Sequence, residues 1–509
     1  MKKFFKFLYS SKMVLLLTFL FNVAFYLTLA ILVNSFTYGI ISAVAVLVTL
    51  LFIMASKDGN AYKLTWVLII FILPIFGVTL YAYMKVNKGG RKKRERWNNI
   101  NFNSLNYLKE DENVVAELQR VGAKQHKLST FVKNSCSLPV YSNSATTYLP
   151  DGESYFKELY AELKQAKKYI FLEYFIFKEG QVFDYLFEIL KEKARKGVEI
   201  KILYDDFGCL DRFEDNKIFK KLANYKIEAL PFNKITYRLN AFVNYRTHRK
   251  IAVIDGRVGF TGGINIGDEY CNLVEKHGHW KDTGVKVTGD AVWGLTLLFL
   301  NSWQFTSGKY INDYSYYYPT EVEKVKGKEL VQVFGTSPLT KEQNARNIFL
   351  NLINNAQKCI MITTPYFIVD EETADALKIC AKSGVEVSIV FPAIPDKKIP
   401  YYMARSRFAE LIKAGVKIYQ YTPGFIHAKM AVVDNETSVI GTINMDFRSL
   451  YLHFENAVMI HNSTTTNHIS KDIKDVISQS HLVTLKDMKK RKLHEKFISK
   501  ILRIFEPLM

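Results

Sequence analysis

The first 90 residues are dominated by three uncharged apolar runs. The runs cover residues 13–33, 38–55 and 64–84, and each is close to the length of about 20 residues that a helix needs to cross a bilayer. A secretory signal is the alternative for the first run, but that run is long for a signal core and no small-x-small cleavage site closes it. The pattern therefore predicts a transmembrane helical region over residues 1–90, with two or three spans.

A basic cluster after the third run sets the expected orientation. It contains Lys85, Lys88, Arg91, Lys92, Lys93, Arg94 and Arg96. Basic residues beside a span stay on the inner side, so the pattern predicts a multi-pass protein of the cell membrane whose remaining residues lie in the cytoplasm. Three spans would place the basic N-terminus outside, against the same rule. Either the first run is not a full span, or the downstream cluster decides the topology.

After a polar interval, the pattern becomes one of alternating strands and helices. Residues 91–134 predict a basic linker. Buried strands are then expected over residues 169–177 and 198–204, with a helix between them. Strands that alternate with helices indicate a layered α/β domain.

The same order recurs later in the chain. Strands are predicted over residues 359–368 and 384–392, again separated by helical periodicity, and GVEVSIV in the second copy matches GVEIKIL in the first. The repeat predicts two similar domains, here called the first half (residues 135–320) and the second half (residues 321–484). Two similar halves naturally pack about a pseudo-twofold axis.

The tail, residues 485–509, mixes lysine and arginine with spaced apolar residues. This pattern predicts a basic amphipathic helix, a form that lies at anionic membrane surfaces. An ordinary surface helix packed on the second half fits the pattern equally well.

Charge narrows the choice of partner. The 509 residues carry a formal charge of +20, which suits an anionic partner such as a nucleic acid or an anionic membrane surface. The five cysteines are scattered without metal-like spacing, and this favours reduced thiols in a cytoplasm-facing protein over a disulfide framework.

A duplicated motif carries the chemistry. Residues 247–265 (THRKIAVIDGRVGFTGGIN) contain His248, Lys250, Asp255 and Asn265 in the order H-x-K-x4-D-x6-G-G-x-N. Residues 426–444 repeat the order and every spacing, and the four corresponding residues there are His427, Lys429, Asp434 and Asn444. A pseudo-twofold arrangement of the halves would bring both histidines to one shared site.

The alternation within the motif suggests how it works. On a strand, residues two apart project from the same face, so His248 and Lys250 lie together, as do His427 and Lys429. The glycines before each asparagine suit a tight backbone that a ligand can approach closely. Each half therefore offers a nucleophile or proton carrier, a cation and an amide donor, which is chemistry suited to a phosphate.

The paired motif resembles that of the phospholipase D superfamily, and the sequence around each copy is similar to that of bacterial cardiolipin synthases. The supporting phrases are GFTGGINIGDEY (259–270), WKD (280–282), PYF (365–367), PGFIHAK (423–429) and NMDFRSLYLHFE (444–455). The likeness covers nearly the whole chain. Lys281 stands where arginine is expected and Val369 where proline is common; both lie beside the motif and bear on substrate detail rather than on the reaction.

The resemblance implies a fold and a reaction. The fold would be α/β, with two pseudo-symmetric phospholipase D-like domains that share one active site after the transmembrane region. One histidine would attack phosphorus and the other would protonate the leaving alkoxide. His248 is assigned as nucleophile and His427 as acid/base, and the near symmetry leaves the reverse assignment open. The lysines and asparagines of both motifs would hold the non-bridging oxygens; no metal or cofactor is required.

Each histidine needs an acceptor for its other ring nitrogen. Glu455 is the candidate for the second half and Asp282 for the first. Asp255 and Asp434 belong to the motif and are counted with the catalytic set, but we expect them to support the fold, and Asp446 and Arg448 to brace the site.

The remaining histidines are predicted to be ordinary surface residues. These are His126, His453, His461, His468, His481 and His494. His277 and His279 form an H-x-H pair without a nearby third ligand, which predicts a solvated loop rather than a metal site.

Transfer of a phosphatidyl group between two molecules of phosphatidylglycerol, giving cardiolipin and glycerol, is the leading functional hypothesis. The alternatives are a phospholipase D, a transferase that uses another lipid or alcohol, a nucleic-acid phosphodiesterase, and a non-catalytic anchor for anionic membrane lipid. No nucleic-acid partner is expected, because the apolar runs argue against one and no nucleic-acid module is recognisable.

Overall fold

The computed structural model describes residues 35–56, 59–85, 89–209, 222–235, 244–318 and 329–504, together with residues 24, 28, 219 and 506. The first apolar run, residues 13–33, lies outside the described residues apart from Ala24 and Thr28. Two compact units are present. One comprises residues 1–91, 236–243 and 501–509, and the other comprises residues 92–235 and 244–500.

The N-terminal unit contains three described helices: α1 (Ser35–Ala55), α2 (Asn60–Ile72) and α3 (Pro74–Lys85). The single helix predicted over residues 64–84 was wrong, because the run breaks at Leu73, whose φ of −133° and ψ of 75° are not helical. Pro74 begins the next helix, and a proline lacks the N–H that a continuous helix needs there. Across the described ranges, no helix is both long and apolar enough to cross a membrane.

A small aromatic core holds this unit together. Ile53 of α1, Trp66 and Ile70 of α2 and Tyr81 of α3 are buried against one another. The rings of Trp66 and Tyr81 meet edge to face with their centroids 5.3 Å apart, an arrangement that aromatic pairs favour.

The interval predicted to be a linker is folded. It forms α4 (Gly89–Leu105), α5 (Glu112–Val121) and α6 (Ala123–Cys136). Leu128 and Val132 of α6 belong to the hydrophobic core of the second half. The polar side chains that suggested a linker are the outer faces of helices whose apolar faces are buried.

The first half is a mixed sheet covered by helices. Its seven-stranded sheet has the order β1-β9-β7-β6-β2-β3-β4. Strands β2, β3 and β4 are parallel neighbours, and the other neighbours are antiparallel. The elements in chain order are β1 (Ser144–Leu149), α7 (Gly152–Gln165), β2 (Tyr169–Tyr174), α8 (Gln181–Arg195), β3 (Glu199–Asp205), α9 (Asp206–Cys209), β4 (Glu228–Phe232), β5 (Arg246–Thr247), β6 (Lys250–Ile254), β7 (Val258–Gly262), a 3-10 turn (Asp268–Cys271), β8 (His279–Lys281), β9 (Gly284–Gly289), α10 (Val292–Ser307) and a second 3-10 turn (Ser315–Tyr317).

The second half repeats this topology. Its sheet has the order β10-β19-β17-β16-β11-β13-β14, extended at the last edge by β20. The elements are β10 (Leu330–Thr336), α11 (Asn344–Asn355), β11 (Cys359–Thr363), β12 (Phe367–Ile368), α12 (Glu371–Lys382), β13 (Glu386–Pro392), α13 (Lys398–Lys413), β14 (Lys417–Tyr421), β15 (Gly424–Ile426), β16 (Met430–Val433), β17 (Thr437–Gly441), β18 (Met445–Asp446), α14 (Phe447–Tyr451), β19 (His453–His461), α15 (Thr464–Ser478), β20 (Ser480–Leu482), α16 (Leu485–Lys490) and α17 (Leu493–Ile504). The seven positions correspond one to one with those of the first half.

Two short parallel pairings join the halves. Strand β5 of the first half pairs with the start of β19, and β15 of the second half pairs with β8. Each pairing involves the segment that leads into a motif histidine. The arrangement therefore places the two histidine segments where the halves meet.

The tail is divided rather than continuous. Helix α16 begins with a capping box formed by Thr484 and Asp487, and α17 follows after Arg491. Met488 is buried, whereas Leu493 and Phe497 are largely exposed. The single helix predicted over residues 485–509 is therefore two helices, one with a buried residue and one with exposed apolar residues; contact of the tail with a membrane surface stays a prediction.

Candidate active site

Each motif histidine is held by the backbone of the other half. The His248 N–H donates to the carbonyl oxygen of Phe454 at 2.9 Å, and the His427 N–H donates to that of Lys281 at 2.7 Å. Both imidazoles are buried. Because both segments end in a cross-half hydrogen bond, the site exists only when the two halves are assembled.

The histidine–carboxylate pairs also cross between the halves. His248 Nδ1 lies 3.0 Å from both carboxylate oxygens of Glu455, and His427 Nδ1 lies 2.6 Å from Asp282 Oδ2. The two acceptors are the predicted residues, but their predicted partners were wrong. We call His248, Lys250 and Glu455 the His248 half-site, and His427, Lys429 and Asp282 the His427 half-site.

Strand register explains the crossing. In the β5–β19 pairing Thr247 stands opposite Phe454, so His248 follows on one strand and Glu455 on the other. In the β15–β8 pairing Ile426 stands opposite Lys281, so His427 and Asp282 follow in the same way. A parallel register carries both chains forward together, so each histidine meets the carboxylate of its neighbouring strand.

The two motif lysines are buried with the histidines. Lys250 Nζ donates to the carbonyl oxygen of His248 at 2.6 Å, and Lys429 donates likewise to that of His427. Burial, reinforced by the charge of Lys429, lowers the pKa of Lys250 to about 7. Burial lowers the pKa of Lys429 to about 8. Two buried cations favour the binding of an anion between them.

The same positive surroundings keep the imidazoles neutral. Burial, followed by the charges of Lys250 and Lys429, holds the pKa of both His248 and His427 well below the ordinary value. Burial also raises the pKa of Asp282 to about 7, against the pull of Lys429. The short His427–Asp282 hydrogen bond therefore joins a buried imidazole to a carboxyl group whose pKa burial has raised.

The motif asparagines take up different contacts. Asn265 Oδ1 accepts from the N–H of Ile176 at 3.1 Å, and its amide nitrogen donates to the Tyr270 hydroxyl at 2.8 Å. Asn444 is hydrogen-bonded to Asp446, and its buried Oδ1 has no hydrogen-bond partner among the described residues. Asn265 therefore holds the backbone that follows β2. Of the two motif asparagines, only Asn444 has a carboxamide oxygen without a partner among the described residues.

The motif aspartates lie at the other end of their strands. Asp255 accepts hydrogen bonds from the backbone N–H groups of residues 167–169, each at 2.8 Å. Asp434 accepts from those of residues 357–359 and also binds Lys124. The structure does not bring either carboxylate to the histidines. Their inclusion in the catalytic set is not supported, whereas the expected role in the fold is.

The motif glycines face protein rather than ligand. A Cβ on Gly262 would lie 2.3 Å from the carbonyl oxygen of Thr283, and one on Gly441 would lie 2.3 Å from that of Asn456. The expectation that they admit a ligand was wrong, because the next strand fills that space. Asp446 caps α14 through the N–H of Ser449 at 2.8 Å, which agrees with a bracing role.

The two departures beside the motif are structural. Lys281 Nζ donates to the carbonyl oxygen of Pro150 at 2.7 Å and binds Asp472 of the second half at 2.8 Å. Val369 is fully buried in the core of the second half. Both contacts stabilise the fold, so the expected bearing on substrate detail finds no support in them.

Comparison with known proteins decides the family. The family described as "Cardiolipin synthase, PLD-like domain" matches residues 159–277 and 349–477, one match in each half. A cardiolipin synthase of Halalkalibacterium halodurans is 34% identical over 513 residues, which cover 97% of this chain and 99% of that protein. The chain belongs to the cardiolipin synthase family.

Further relatives agree. "Cardiolipin synthase 2" of Bacillus anthracis is 33% identical over 452 residues, covering 88% of this chain and 86% of its own. Phosphatidylserine synthase of Haemophilus influenzae Rd KW20 has the same fold with a TM-score of 0.57, covering 75% of this chain and 98% of its own at 16% identity. The predicted α/β fold with two phospholipase D-like repeats is confirmed.

Two histidines of this cardiolipin synthase family member were wrongly predicted to be on the surface. His461 is buried between the hydroxyls of Ser129 and Thr437, at 2.8 and 3.0 Å. The His453 ring centroid lies 5.4 Å from that of His248. His461 directly follows the apolar run at residues 457–460 on β19, and that run was the available signal for its burial.

One group of side chains has the geometry of a metal site. Ligand atoms of His248, His453 and Glu455 lie within 4.8 Å of one another, the one such group that the described residues contain. The chemistry of the donor set does not favour a cation, because Arg448 donates to His453 and Lys250 adjoins His248. No step of the reaction is assigned to a metal.

Proposed function

We propose that the chain is a cardiolipin synthase, which transfers the phosphatidyl group of one phosphatidylglycerol to the hydroxyl of another and releases glycerol. The observation that carries the proposal is the assembly of two buried histidine–carboxylate pairs and two buried lysines at the junction of the halves. Membership of the cardiolipin synthase family supports the choice of reaction.

In the first step, His248 Nε2 attacks the phosphorus of the donor lipid. Its Nδ1–H is bound by Glu455, which leaves Nε2 as the free nucleophilic atom and stabilises the charge that develops on the ring. A P–N bond forms and the P–O bond to glycerol breaks. His427, which is protonated once the diester anion offsets the charges of the two lysines, supplies the proton that the departing alkoxide takes up.

In the second step, His427 accepts the proton of the incoming hydroxyl. The oxygen attacks phosphorus, the P–N bond breaks, and His248 regains its neutral form. The Asp282 carboxylate, 2.6 Å from His427 Nδ1, balances the imidazolium that forms when His427 takes up this proton and that lasts until the next donor lipid reacts. Because the pKa of Asp282 is raised to about 7 by burial, this pair suits a group that gains and loses a proton in each cycle.

The lysines bind the diester anion. Lys250 and Lys429 are buried, and the anion raises the pKa of each by supplying the missing negative charge. In the transition state they face the oxygens on which charge accumulates. Asn444, whose amide oxygen has no partner among the described residues, is the motif asparagine with freedom to turn towards a substrate.

Lipid substrates account for the N-terminal region. Its apolar runs and the basic cluster at residues 85–96 fit an anchor at the inner face of the cell membrane, where the basic charge attracts anionic lipid. Delivery of both substrates from the membrane keeps water away from the phosphohistidine, which favours transfer over hydrolysis.

A phospholipase D, or a transferase using another alcohol, would share the first step and differ only in the acceptor. A nucleic-acid phosphodiesterase is supported only by the net charge. A non-catalytic anchor leaves the buried, paired histidines without a role.

A product assay separates these functions. Purified protein in mixed lipid–detergent micelles receives labelled phosphatidylglycerol as the only lipid substrate, alongside His248→Ala, His427→Ala and the exposed control His468→Ala. From the wild type and from the control we expect one glycerol for each cardiolipin formed. From the two site variants we expect neither product.

Other outcomes would replace the proposal. Phosphatidic acid without cardiolipin would identify a hydrolase, and cardiolipin formation that survives both site substitutions would remove the reaction from this site. Turnover of a nucleic-acid diester alone would establish the phosphodiesterase.

A further inference from the structure

A third histidine adjoins the His248 half-site. His453 is the first residue of β19, two before Glu455, and its side chain is only 10% exposed. Its Nδ1 lies 3.5 Å from Glu455 Oε1, the same oxygen that lies 3.0 Å from His248 Nδ1. The His248 contact is a hydrogen bond, whereas the buried His453 Nδ1 has no hydrogen-bond partner among the described residues and faces the same carboxylate across the longer distance.

The equivalent position in the other half holds a different side chain. Trp280 lies two residues before Asp282, and its ring centroid is 5.4 Å from that of His427, the same separation as between His453 and His248. The buried Trp280 Nε1 has no hydrogen-bond partner among the described residues. The pseudo-twofold symmetry of the site is thus broken by a polar ring on one side and a largely apolar ring on the other.

Arg448 fixes the hydrogen on His453. The Arg448 Nε–H donates to His453 Nε2 at 3.4 Å, and a guanidinium can only donate. His453 Nε2 is therefore the acceptor, and the ring hydrogen is on Nδ1, the atom nearer Glu455. Burial lowers the pKa of His453 to about 3, so the ring stays neutral.

We propose that His453 is a positioning residue for the nucleophile: its Nδ1–H faces Glu455 at 3.5 Å, draws on the charge of that carboxylate and so keeps His248 a weaker base. The proposal rests on the proposed function, and within it assigns a role in the first step. A carboxylate whose charge is divided among several donors attracts a proton to His248 less strongly. His248 Nε2 then remains unprotonated and ready to attack at lower pH.

Several other groups act on the same three side chains. His248 is faced by Lys250, Lys429 and His427. The groups that act on Glu455 include Arg249, Lys250, Lys429, Asp446 and the hydroxyl of Thr442. His453 is faced by Arg448. Of these groups only Arg448 contacts the substituted side chain, and the amide oxygen of His453→Asn can still accept from it. A shift of the pH profile that His453→Asn reverses can therefore be assigned to the Nδ1–H.

The test compares His453→Phe with His453→Asn. Phenylalanine keeps a planar ring but cannot donate, whereas the Asn amide nitrogen can take the place of Nδ1. We expect the acid limb of kcat/KM for cardiolipin formation to move to higher pH in His453→Phe, with a loss of about 3- to 10-fold on the acid side and little loss above the limb. His453→Asn should restore the wild-type profile.

His461→Phe is the matched control, because it removes a buried histidine from the same strand away from the site. We expect it to lower thermal stability without moving the acid limb. A loss in His453→Phe that is equal at every pH, or no change at all, would reduce His453 to a packing residue.

A substrate-free measurement separates this proposal from the proposed function. Histidine 15N resonances, assigned to His248 by the His248→Ala spectrum, report the protonation of that ring directly. A higher His248 titration midpoint in His453→Phe supports the role even if the wild type makes no cardiolipin, and an unchanged midpoint overturns it even if the wild type does.

Discussion

In the His248 half-site, the carboxylate of Glu455 accepts from His248 and from the hydroxyl of Thr442, and His453 Nδ1 lies 3.5 Å from it. In the His427 half-site, Gly263 stands at the motif position of Thr442, and a Cβ there would lie 2.0 Å from Asp282 Oδ1. Asp282 accepts only from His427 and from the N–H of Thr283 among the described residues. Two half-sites with identical motif spacing therefore differ in how their carboxylates are shared.

This difference suits different tasks. A carboxylate divided among donors holds its histidine in one tautomer without making it strongly basic, as a nucleophile requires. A carboxylate held by a single short contact to its histidine responds fully when that ring gains a proton, as an acid/base pair requires. The comparison favours His248 as nucleophile and His427 as acid/base.

The largest difference between the two histidines should appear when the leaving group of the substrate is changed. His427→Ala should lose about 10²- to 10⁴-fold with phosphatidylglycerol, yet recover most of its first step with a p-nitrophenyl ester, whose leaving group needs no proton. His248→Ala should be inactive on both esters. The measurement is the burst of p-nitrophenol, with the phosphohistidine followed by acid-quench labelling. Reversed behaviour of the two variants would exchange the roles.

Replacing the two carboxylates by amides should lower activity by unequal amounts. In Glu455→Gln the new amide can donate to Thr442 while its oxygen still accepts from His248, so we expect a loss of about 10- to 100-fold. Asp282→Asn must turn an amide N–H towards either His427 or Thr283, and we expect a loss of about 10²- to 10³-fold. Values of kcat measured side by side decide this, and a larger loss in Glu455→Gln would contradict the proposed division of tasks.

Substrate binding should weaken with rising pH. The pKa of Lys250 is lowered to about 7 and that of Lys429 to about 8, so both are charged below pH 7 and lose their protons in turn above it. Where one lysine must be charged to bind, affinity falls about tenfold per pH unit above its free pKa. Binding of a non-reactive diester lipid between pH 6 and 9 measures this. In Lys250→Met the weakening that begins near pH 7 should be absent.

The smallest effect on chemistry is expected at the far ends of the strands. Asp255→Ala and Asp434→Ala each leave three backbone N–H groups without their carboxylate, and each should cost about 2–4 kcal/mol of stability. Asp434→Ala should cost more, because it also removes the Lys124–Asp434 ion pair and leaves Lys124 only its longer contact with Glu436. Apparent midpoints of thermal unfolding compare the two, and equal midpoints would show that Lys124 contributes nothing.

The contribution of Asp434 to stability should also depend on pH. Although burial opposes it, the Lys124 ammonium and the three N–H groups lower the pKa of Asp434. A carboxyl with a lowered folded-state pKa contributes stability that is present above its unfolded pKa and is lost as the pH falls through the folded one. The Asp434→Ala variant should therefore lose less of its remaining stability below about pH 4 than the wild type does.

The local pattern of apolar and polar residues predicted the starts of strands well, but it predicted poorly where a helix ends and whether a polar interval is folded. The strands beginning at Tyr169 and Cys359 were predicted at their observed starts, because runs of apolar residues bounded by polar ones read directly as buried strands. The helix break at Leu73 and the folded helices within residues 89–136 were missed. Both depend on packing faces and on backbone hydrogen bonds that a count of polar residues does not report.

The sequence by itself determined the inventory of the site. Two copies of one motif with equal spacing specify two histidines and two lysines, and both supporting carboxylates, Asp282 and Glu455, were found from their positions after the motifs. Only the tertiary structure decided which carboxylate serves which histidine, that His453 lies beside His248, and that Asp255 and Asp434 are remote from both histidines. The reason is physical: the pairings of β5 with β19 and of β15 with β8 join segments far apart in the chain. Periodicity specifies the face of a strand, but not its partner.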